Sequence, residues 1–569
     1  MNKETTIGGV LIDGLKNIGI KHVFGVPGDY ALDFLDRVIE SGLEFVGTCN
    51  ELNAGYAADG YARAQGAGAA IVTYGVGGFS ILNAVAGAWA EQVPLIVISG
   101  APHSRQRRAG ALVHHLAGDY ALQSEIFKKM TIDSAVLDNP RTAAADIERV
   151  LANCLARKKP VYFEIPVDAV DQPCDPRSSA GSRPAVAPVH PSNPAALAEA
   201  AGEAADMINT AKNPVVIAGV EIARFQLAAP TLKLVETAEL PYATTISSKS
   251  VLPELHPQFV GVYQGAFSRE STRAQIESSD CVLCLGVWMN DFNTGMFTTK
   301  LDENSLLNAH SDYLQIKHHG YNNIRLDDFI AGLIPLLRPR SFIQSHPLAR
   351  ALPRRNYRAQ AGQKITVRRF YERINNLLDD NMILISDTGD CICAAADLYI
   401  EEAENFIAQA YYLSIGFSLP AALGVSLSSP GKRAVVLIGD GAFQMTAQEL
   451  STIIRKECNP IIFVLNNQGY VIERMIHDGV YNDIQNWKYH KLGEAFGSGN
   501  PGAAVRAEDE LEKAIEAALA DNTRPALIEI VLEPRDCSEV LAVLGREVRG
   551  LSKLPEGGRA AGRKLPPAD

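Results

Sequence analysis

The 569-residue sequence predicts an α/β protein of three domains, each built on a mainly parallel sheet flanked by helices. Two observations carry this expectation. Short apolar runs rich in β-branched residues alternate with helical patterns, as strands buried on both faces of a parallel sheet do. Two stretches dense in proline and without periodicity cut the chain into three blocks, in keeping with roughly 100–200 residues per domain.

In the first block the strand runs are HVFGV, LEFVGT, AAIVTYG and PLIVISG, separated by helical patterns such as YALDFLDRVIE and NAGYAADGYARAQ. The third block repeats the theme with MILISDTG, AVVLIGD, PIIFVLNN and PALIEIVL. The middle block follows more weakly with PVVIAGV and CVLCLGV, and no short repeat is visible. The linkers are CDPRSSAGSRPAVAPVHPSNP (174–194) and RPRSFIQSHPLARALPRRNYRAQAGQ (338–363). The expected domains are therefore 1–180, 190–340 and 355–550, with a tail from 551 to 569.

Composition narrows the function. A hydrophobic share of 47% and a charged share of 21% are those of a globular chain. The net charge of -12 argues against a nucleic-acid partner, and the cluster Arg105, Arg107 and Arg108 reads as a solvated loop. The start MNKETTIGGVLIDGL lacks a signal-peptide pattern and no apolar run is long enough to span a membrane, so a soluble, cytoplasmic protein is expected. Nine cysteines lie scattered; Cys281 and Cys284 of CVLCLG read as buried thiols in a strand and not as zinc ligands.

The most informative stretch is AVVLIGDGAFQMTAQELSTIIRKECNPIIFVLNNQGYVIERMIHDG. One strand ends at Gly439-Asp440-Gly441, a helix follows with Thr446 and Glu449 at capping-box spacing, and a second strand ends at Asn466-Asn467. A βαβ unit puts Asp440 and Asn467 at the carboxyl ends of two strands, where open α/β sheets bind ligands. A carboxylate, an amide oxygen and a backbone carbonyl from the Gln468-Gly469 turn make three hard oxygen ligands for Mg²⁺, leaving places for phosphate oxygens. Gly439 and Gly441 allow close approach of a phosphate. Neither a Walker A loop nor a dinucleotide fingerprint fits GDGAFQ.

This GDG to NN pattern resembles the diphosphate and magnesium motif of the thiamine diphosphate enzymes. VFGVPGDY, TCNELNAGYAADGYAR, LVHHLAGDY, DFNTG, SIGFSLPAALG and GYVIERMIHDGVYNDIQNW extend the resemblance, over essentially the whole chain, to the 2-oxo acid decarboxylases, and within them to bacterial pyruvate decarboxylases. The resemblance implies two cofactor-binding domains around a middle domain, with residues of one subunit facing those of another in a homodimer or homotetramer. It implies Asp440, Asn467 and the Gly469 carbonyl as metal ligands, and Ile415 as an apolar wedge that bends the cofactor. It implies Thr388, Leu413, Ser414, Gly439, Gly441, Ala442, Tyr470, Val471 and Ile472 as further cofactor contacts. Glu51, at a helix start, would promote deprotonation of the thiazolium carbon. The resulting carbanion adds to the keto carbon of a 2-oxo acid, and the cofactor takes up the electrons as CO₂ leaves.

Asp29, His114, His115 and Glu473 complete the implied catalytic set, groups able to move protons near neutral pH. Read from the residues alone, Asp29 could equally cap a helix, Glu473 could be an exposed helix charge, and the histidine pair could be a turn with diverging rings. Ile472 and Ile476 lie four apart on a helical pattern and, by resemblance, narrow the site toward pyruvate. Two departures from the resembling sequences stand beside this: Ile392 and Cys393 replace bulky aromatics, which should enlarge the pocket, and Tyr412-Leu413 replace a Trp-Gly pair before SIG, in a segment whose backbone carbonyl, and with it cofactor binding, should survive the change. The expected reaction is nonoxidative decarboxylation, with pyruvate first and larger acids such as phenylpyruvate or indolepyruvate as the alternative. An acetolactate-type carboligating synthase and a noncatalytic cofactor binder are the other classes weighed.

Overall fold

The computed structural model describes residues 5–174, 191–340, 356–499 and 501–551. Most of both linkers, and the tail beyond 551, lie outside the described residues. Three sheets are present. The first contains β1 (His22–Gly25), β2 (Glu44–Gly47), β3 (Gly68–Val72), β4 (Leu95–Ala101), β5 (Asp133–Val136) and β6 (Val161–Pro166). Its order is β2-β1-β3-β4-β6-β5 with every pairing parallel.

The middle sheet contains β7 (Pro214–Ala218), β8 (Tyr242–Thr244), β9 (Phe259–Val262), β10 (Cys281–Leu285), β11 (Leu306–Ala309), β12 (Tyr313–Ile316) and β13 (His319–Asn322). Its core is parallel, and β12 and β13 extend one edge as antiparallel strands. Cys281 and Cys284 are buried free thiols on β10, each pushed up to about 12 by burial, which leaves them unreactive at neutral pH.

The third sheet contains β14 (Met382–Ser386), β15 (Phe406–Ala408), β16 (Arg433–Gly439), β17 (Ile461–Asn466), β18 (Ala503–Val505) and β19 (Ala526–Val531). Its order, β15-β14-β16-β17-β19-β18, is the order of the first sheet strand for strand. The sequence showed no repeat, yet the topology is one. In both sheets the order of strand addition reverses between the first and third strands, the switch point at which doubly wound sheets bind ligands.

The two outer sheets are joined through helices. Helix Glu51–Gln65 of the first domain lies against helix Ser418–Ser428 of the third, and one apolar core runs through both, from Phe24 and Tyr61 to Phe417, Leu423 and Ile438. The helices touch backbone to backbone. A Cβ at Gly60 would collide with the main chain of Ala421, and one at Gly424 with the carbonyl of Ala57.

Two expectations are corrected. Thr446 and Glu449 form no capping box: the helix after β16 begins at Asp440, with Gly439 as its N-cap. The Thr446 hydroxyl donates instead to the Gly416 carbonyl, and the Glu449 carboxylate accepts from the Asn53 amide at 2.7 Å and the Cys49 N–H. Spacing alone suggested the box, and contacts with distant segments override it. The arginine cluster is not a loop but part of a short helix, Ser104–Ala109: Arg105 and Arg108 are exposed as expected, while Arg107 pairs at 2.8 Å with the fully buried carboxylate of Glu164.

Candidate active site

Four of the five expected catalytic residues gather at the switch point of the first sheet. Asp29 follows β1 and opens the 3₁₀ turn Asp29–Ala31; it caps no helix. Its Oδ2 lies 2.7 Å from Nε2 of His114, with both side chains about half exposed. Tyr30 fixes that ring by stacking on it at 4.8 Å between centroids. His115 has a left-handed backbone, φ 65°, and this turns its ring across that of His114 at 82°. Its Nδ1 is buried and has no hydrogen-bond partner among the described residues. The ligand atoms of Asp29, His114 and His115 all lie within 4.8 Å of one another.

Glu51 is the first residue of its helix, and the preceding Asn50 caps that helix by accepting from Asn53 N–H at 2.8 Å. A carboxylate in the first turn is favoured by the helix dipole, so the fold places Glu51 without strain. The segment after β3 joins it to the histidines. A Cβ on Gly75 would strike the His115 carbonyl, and one on Gly77 would lie 3.4 Å from Oε1 of Glu51.

The second group sits at the switch point of the third sheet. Asp440 directly follows β16, is 1% exposed, and accepts from the N–H groups of Gly441 at 2.8 Å and Gly469 at 3.0 Å. Burial pushes its carboxyl up to about 6 against those bonds. Asn467 directly follows β17, and its Oδ1 is buried without a partner. Gln468 and Gly469 form the tight turn at φ 61° and 145°. A buried carboxylate met by backbone N–H groups and an orphaned amide oxygen beside it are what an oxygen-ligated divalent cation satisfies, so the donor set fits Mg²⁺. Thr388, after β14, also has a buried hydroxyl without a partner.

The connecting segment, 409–416, is held from several sides. Ser414 Oγ lies 2.6 Å from the Tyr56 hydroxyl and accepts from the Asn83 amide at 3.0 Å. The Gly416 N–H donates to the buried Asp387 carboxylate. Ile415 is half-buried against the shared core. Tyr470 lies against Gly441, where a Cβ would meet its ring, and Ala442 is buried. Leu413 takes a left-handed backbone, φ 57°. Its side chain packs on the apolar cluster of Ile392 and Val471, which Ile472 and Ile476 of helix Val471–Ile476 also join. The C-terminal helix Glu539–Leu551 supplies Val540, Leu541 and Leu544 to the same cluster. Glu473, on the helix Val471–Ile476, is exposed. Among the described residues no hydrogen bond or ion pair joins Asp29, Glu51, His114 or His115 to Asp440, Asn467 or Glu473.

Three positioning residues carried no sequence signal. Glu91 accepts from the N–H groups of Tyr411 and Tyr412 at 2.7 and 3.0 Å. Asp387 holds Gly416 and Ser418. Arg474 donates to the carbonyls of Asn467 and Gln468 at 2.9 and 2.6 Å, fixing the turn.

Family models of thiamine pyrophosphate enzymes match all three domains: the N-terminal binding domain over residues 5–130, the central domain over 201–326 and the C-terminal binding domain over 387–530. A probable pyruvate decarboxylase of Schizosaccharomyces pombe is 33% identical over 98% of each chain. The chain belongs to the thiamine diphosphate-dependent 2-oxo acid decarboxylases. A pyruvate decarboxylase of Aspergillus fumigatus is 34% identical over 97% of this chain and 98% of its own. Pyruvate decarboxylase 2 of Arabidopsis thaliana is 34% identical over 97% of this chain and 92% of its own. In this decarboxylase-family chain the N-terminal match holds β1–β4, the C-terminal match holds β15–β18 and most of β19, and the central match holds the whole middle sheet.

Proposed function

We propose that this chain decarboxylates a 2-oxo acid, pyruvate first, to the aldehyde and CO₂. The observation that carries the reading is the Asp29–His114 hydrogen bond at 2.7 Å, with the unpartnered Nδ1 of His115 beside it and Glu51 one short turn away. Such a set can hold a proton and deliver it to carbon, the step that ends decarboxylation without oxidation and that carboligation replaces by a new C–C bond. In this reading Asp440, Asn467 and the Gly469 carbonyl hold Mg²⁺. Gly439, Gly441 and Ala442 would hold the diphosphate together with Thr388, Ser414, Tyr470 and Val471, and the Leu413 carbonyl, Ile415 and Ile472 would hold the rings. Bound there, thiamine diphosphate supplies the electron sink for loss of CO₂.

The residues of the chain do the rest. Glu51 takes the proton that activates the cofactor, and Asp29 and Glu473 stand nearest the reacting carbon. The histidines orient Asp29 and carry the proton to the aldehyde carbon. Ile392, Ile472 and Ile476 line the substrate's side chain.

A second copy completes the site in this proposal. Supporting it, no hydrogen bond or ion pair joins the two groups among the described residues, and Val76, Leu112, Val480 and Tyr481, neighbours of these residues in the sequence, present exposed apolar surface. The assembly is a dimer or tetramer in the cytoplasm. Consistent with this, no helix among the described residues is long and apolar enough to cross a membrane, and every cysteine is a free thiol.

The test is an aldehyde and CO₂ assay with pyruvate, 2-oxobutanoate, phenylpyruvate and indolepyruvate, with thiamine diphosphate and Mg²⁺ present. The highest kcat/KM is expected with pyruvate. Acetolactate formation without acetaldehyde would overturn the reading, and higher kcat/KM for the aromatic acids would overturn the substrate.

A further inference from the structure

We infer that the Leu413 side chain is a specificity-determining wall that sets the upper size of the 2-oxo acid. The inference rests on the decarboxylase reading above. Leu413 holds φ 57°, a left-handed backbone that disfavours a branched side chain and suits glycine. A side chain kept at such a position must be held by its surroundings.

The main chain on both sides is clamped. Glu91 accepts the N–H groups of the two preceding residues, and the Ser414 N–H donates to Gln409 Oε1 at 3.2 Å. Ser414 Oγ is tied to Tyr56 and Asn83. With the backbone fixed, the direction of the Leu413 Cα–Cβ bond is fixed too, and the side chain packs on the cluster that holds Ile392 and Val471 and is joined by Ile472 and Ile476. Ile392 is 1% exposed within this cluster, and Leu413 packs on the same cluster from the 409–416 segment. Position 413 thus carries two separable functions: its carbonyl belongs to the cofactor-binding segment, and its side chain belongs to the substrate pocket.

The experiment compares the whole chain with L413G, L413A and L413M, loaded with thiamine diphosphate and Mg²⁺, on pyruvate, 2-oxobutanoate, 2-oxopentanoate and 2-oxohexanoate. One methylene in an apolar pocket is worth about 10–200-fold in discrimination. The kcat/KM ratio of 2-oxopentanoate to pyruvate is therefore expected to rise at least about tenfold in L413G, less in L413A, and to return toward the original in L413M. Quenching of intrinsic fluorescence by thiamine diphosphate supplies a readout besides activity: L413G, L413A and L413M should still bind it while the ratio changes.

A general structural role would lower all substrates together and leave the ratio alone. Active enzyme whose ratio stays within twofold in both L413G and L413A overturns the assignment of Leu413 and leaves the decarboxylase reading intact. An unaltered chain that releases CO₂ from no 2-oxo acid overturns that reading and this assignment with it. Should L413G fail to fold, L413A against L413M decides by the same ratio.

Discussion

Replacing Glu91 tests how the cofactor segment is held. The carboxylate is 1% exposed and lies in a buried cluster with Asp59, Arg63 and Arg224, two negative and two positive groups drawn from the first and middle domains. Arg63 reaches Asp59 at 2.5 Å and Glu91 at 3.6 Å, and also donates to the Ala408 carbonyl of the third domain. Burial and the nearby Arg63 lower Arg224 to about 10, so it stays charged at neutral pH. Glu91→Ala removes one charge and orphans two backbone N–H groups. Breaking a buried pair from one side costs about 3–5 kcal/mol. Glu91→Gln keeps an oxygen for the Tyr411 and Tyr412 N–H groups but leaves an unbalanced arginine. Its expected cost is about 1–3 kcal/mol, that of weakening a charged hydrogen bond. Urea unfolding followed by tryptophan fluorescence measures both, and Trp288, 5.9 Å from Tyr411, reports on this junction. Loosening residues 411–415 also weakens cofactor binding, about tenfold for each 1.4 kcal/mol of ordering lost. A Glu91→Ala chain within about 1 kcal/mol of the original would refute the argument, because no buried charge so placed is that cheap to unpair.

Glu51→Gln is expected to lower CO₂ release by about 10²–10⁴-fold with thiamine diphosphate binding retained, and unchanged turnover would remove Glu51 from the mechanism. Asn467→Leu deletes the orphaned amide oxygen, so the unloaded chain should gain about 1–3 kcal/mol in denaturation. Mg²⁺-dependent cofactor affinity should fall in the same variant by at least the about 10–100-fold seen when even a supporting group of a metal site is lost; titration calorimetry checks that loss. Asp390 is buried, accepts from the Ser538 N–H at 3.0 Å, and has its carboxyl pushed up to about 6 by burial. Unfolded, it ionises near 3.9, so the folded chain holds the extra proton between about pH 4 and 6, and stability falls by about 3 kcal/mol as pH rises through that window. Asp390→Asn should flatten this fall, and an unaltered slope in unfolding curves at pH 4.5 and 6.5 would contradict it.

Most strands legible in the sequence are those whose every residue is buried or nearly so, such as IIFVLN and AAIV, because continuous apolar runs mark strands covered on both faces; β2, EFVG, is legible with only Val46 fully buried. β5, DSAV, is half-buried throughout and β18, AAV, has three residues, so neither has such a run. β6, VYFEIP, is fully buried but broken by Glu164, which is tolerated through its pair with Arg107, 57 positions earlier. The same limit applies to the site. Asp440 and Asn467 are adjacent to strand ends, so local pattern places them. Glu91 meets residues 320 positions away, and Asn53 meets Glu449 across 396, separations that no spacing rule encodes. Arg474 differs from any exposed helix charge only in folding back on the carbonyls of Asn467 and Gln468.

The two kinds of information meet in the 409–416 segment. A buried ionic cluster is a poor source of net stability, since desolvation offsets much of its attraction, but it punishes any arrangement that leaves a member unpaired. Here the members come from the first and middle domains, and the acceptors they supply fix main-chain atoms of the third. Tyr56 and Asn83 fix Ser414 from the first domain, while Asp387 fixes Gly416 from within the third. A shift of one domain against another would unpair buried groups before it moved the segment far. Domain docking and cofactor geometry are therefore one constraint: the identical strand order of the outer sheets puts a ligand-binding crevice in each, and the charges buried between them set the register at which the segment beside those crevices is held.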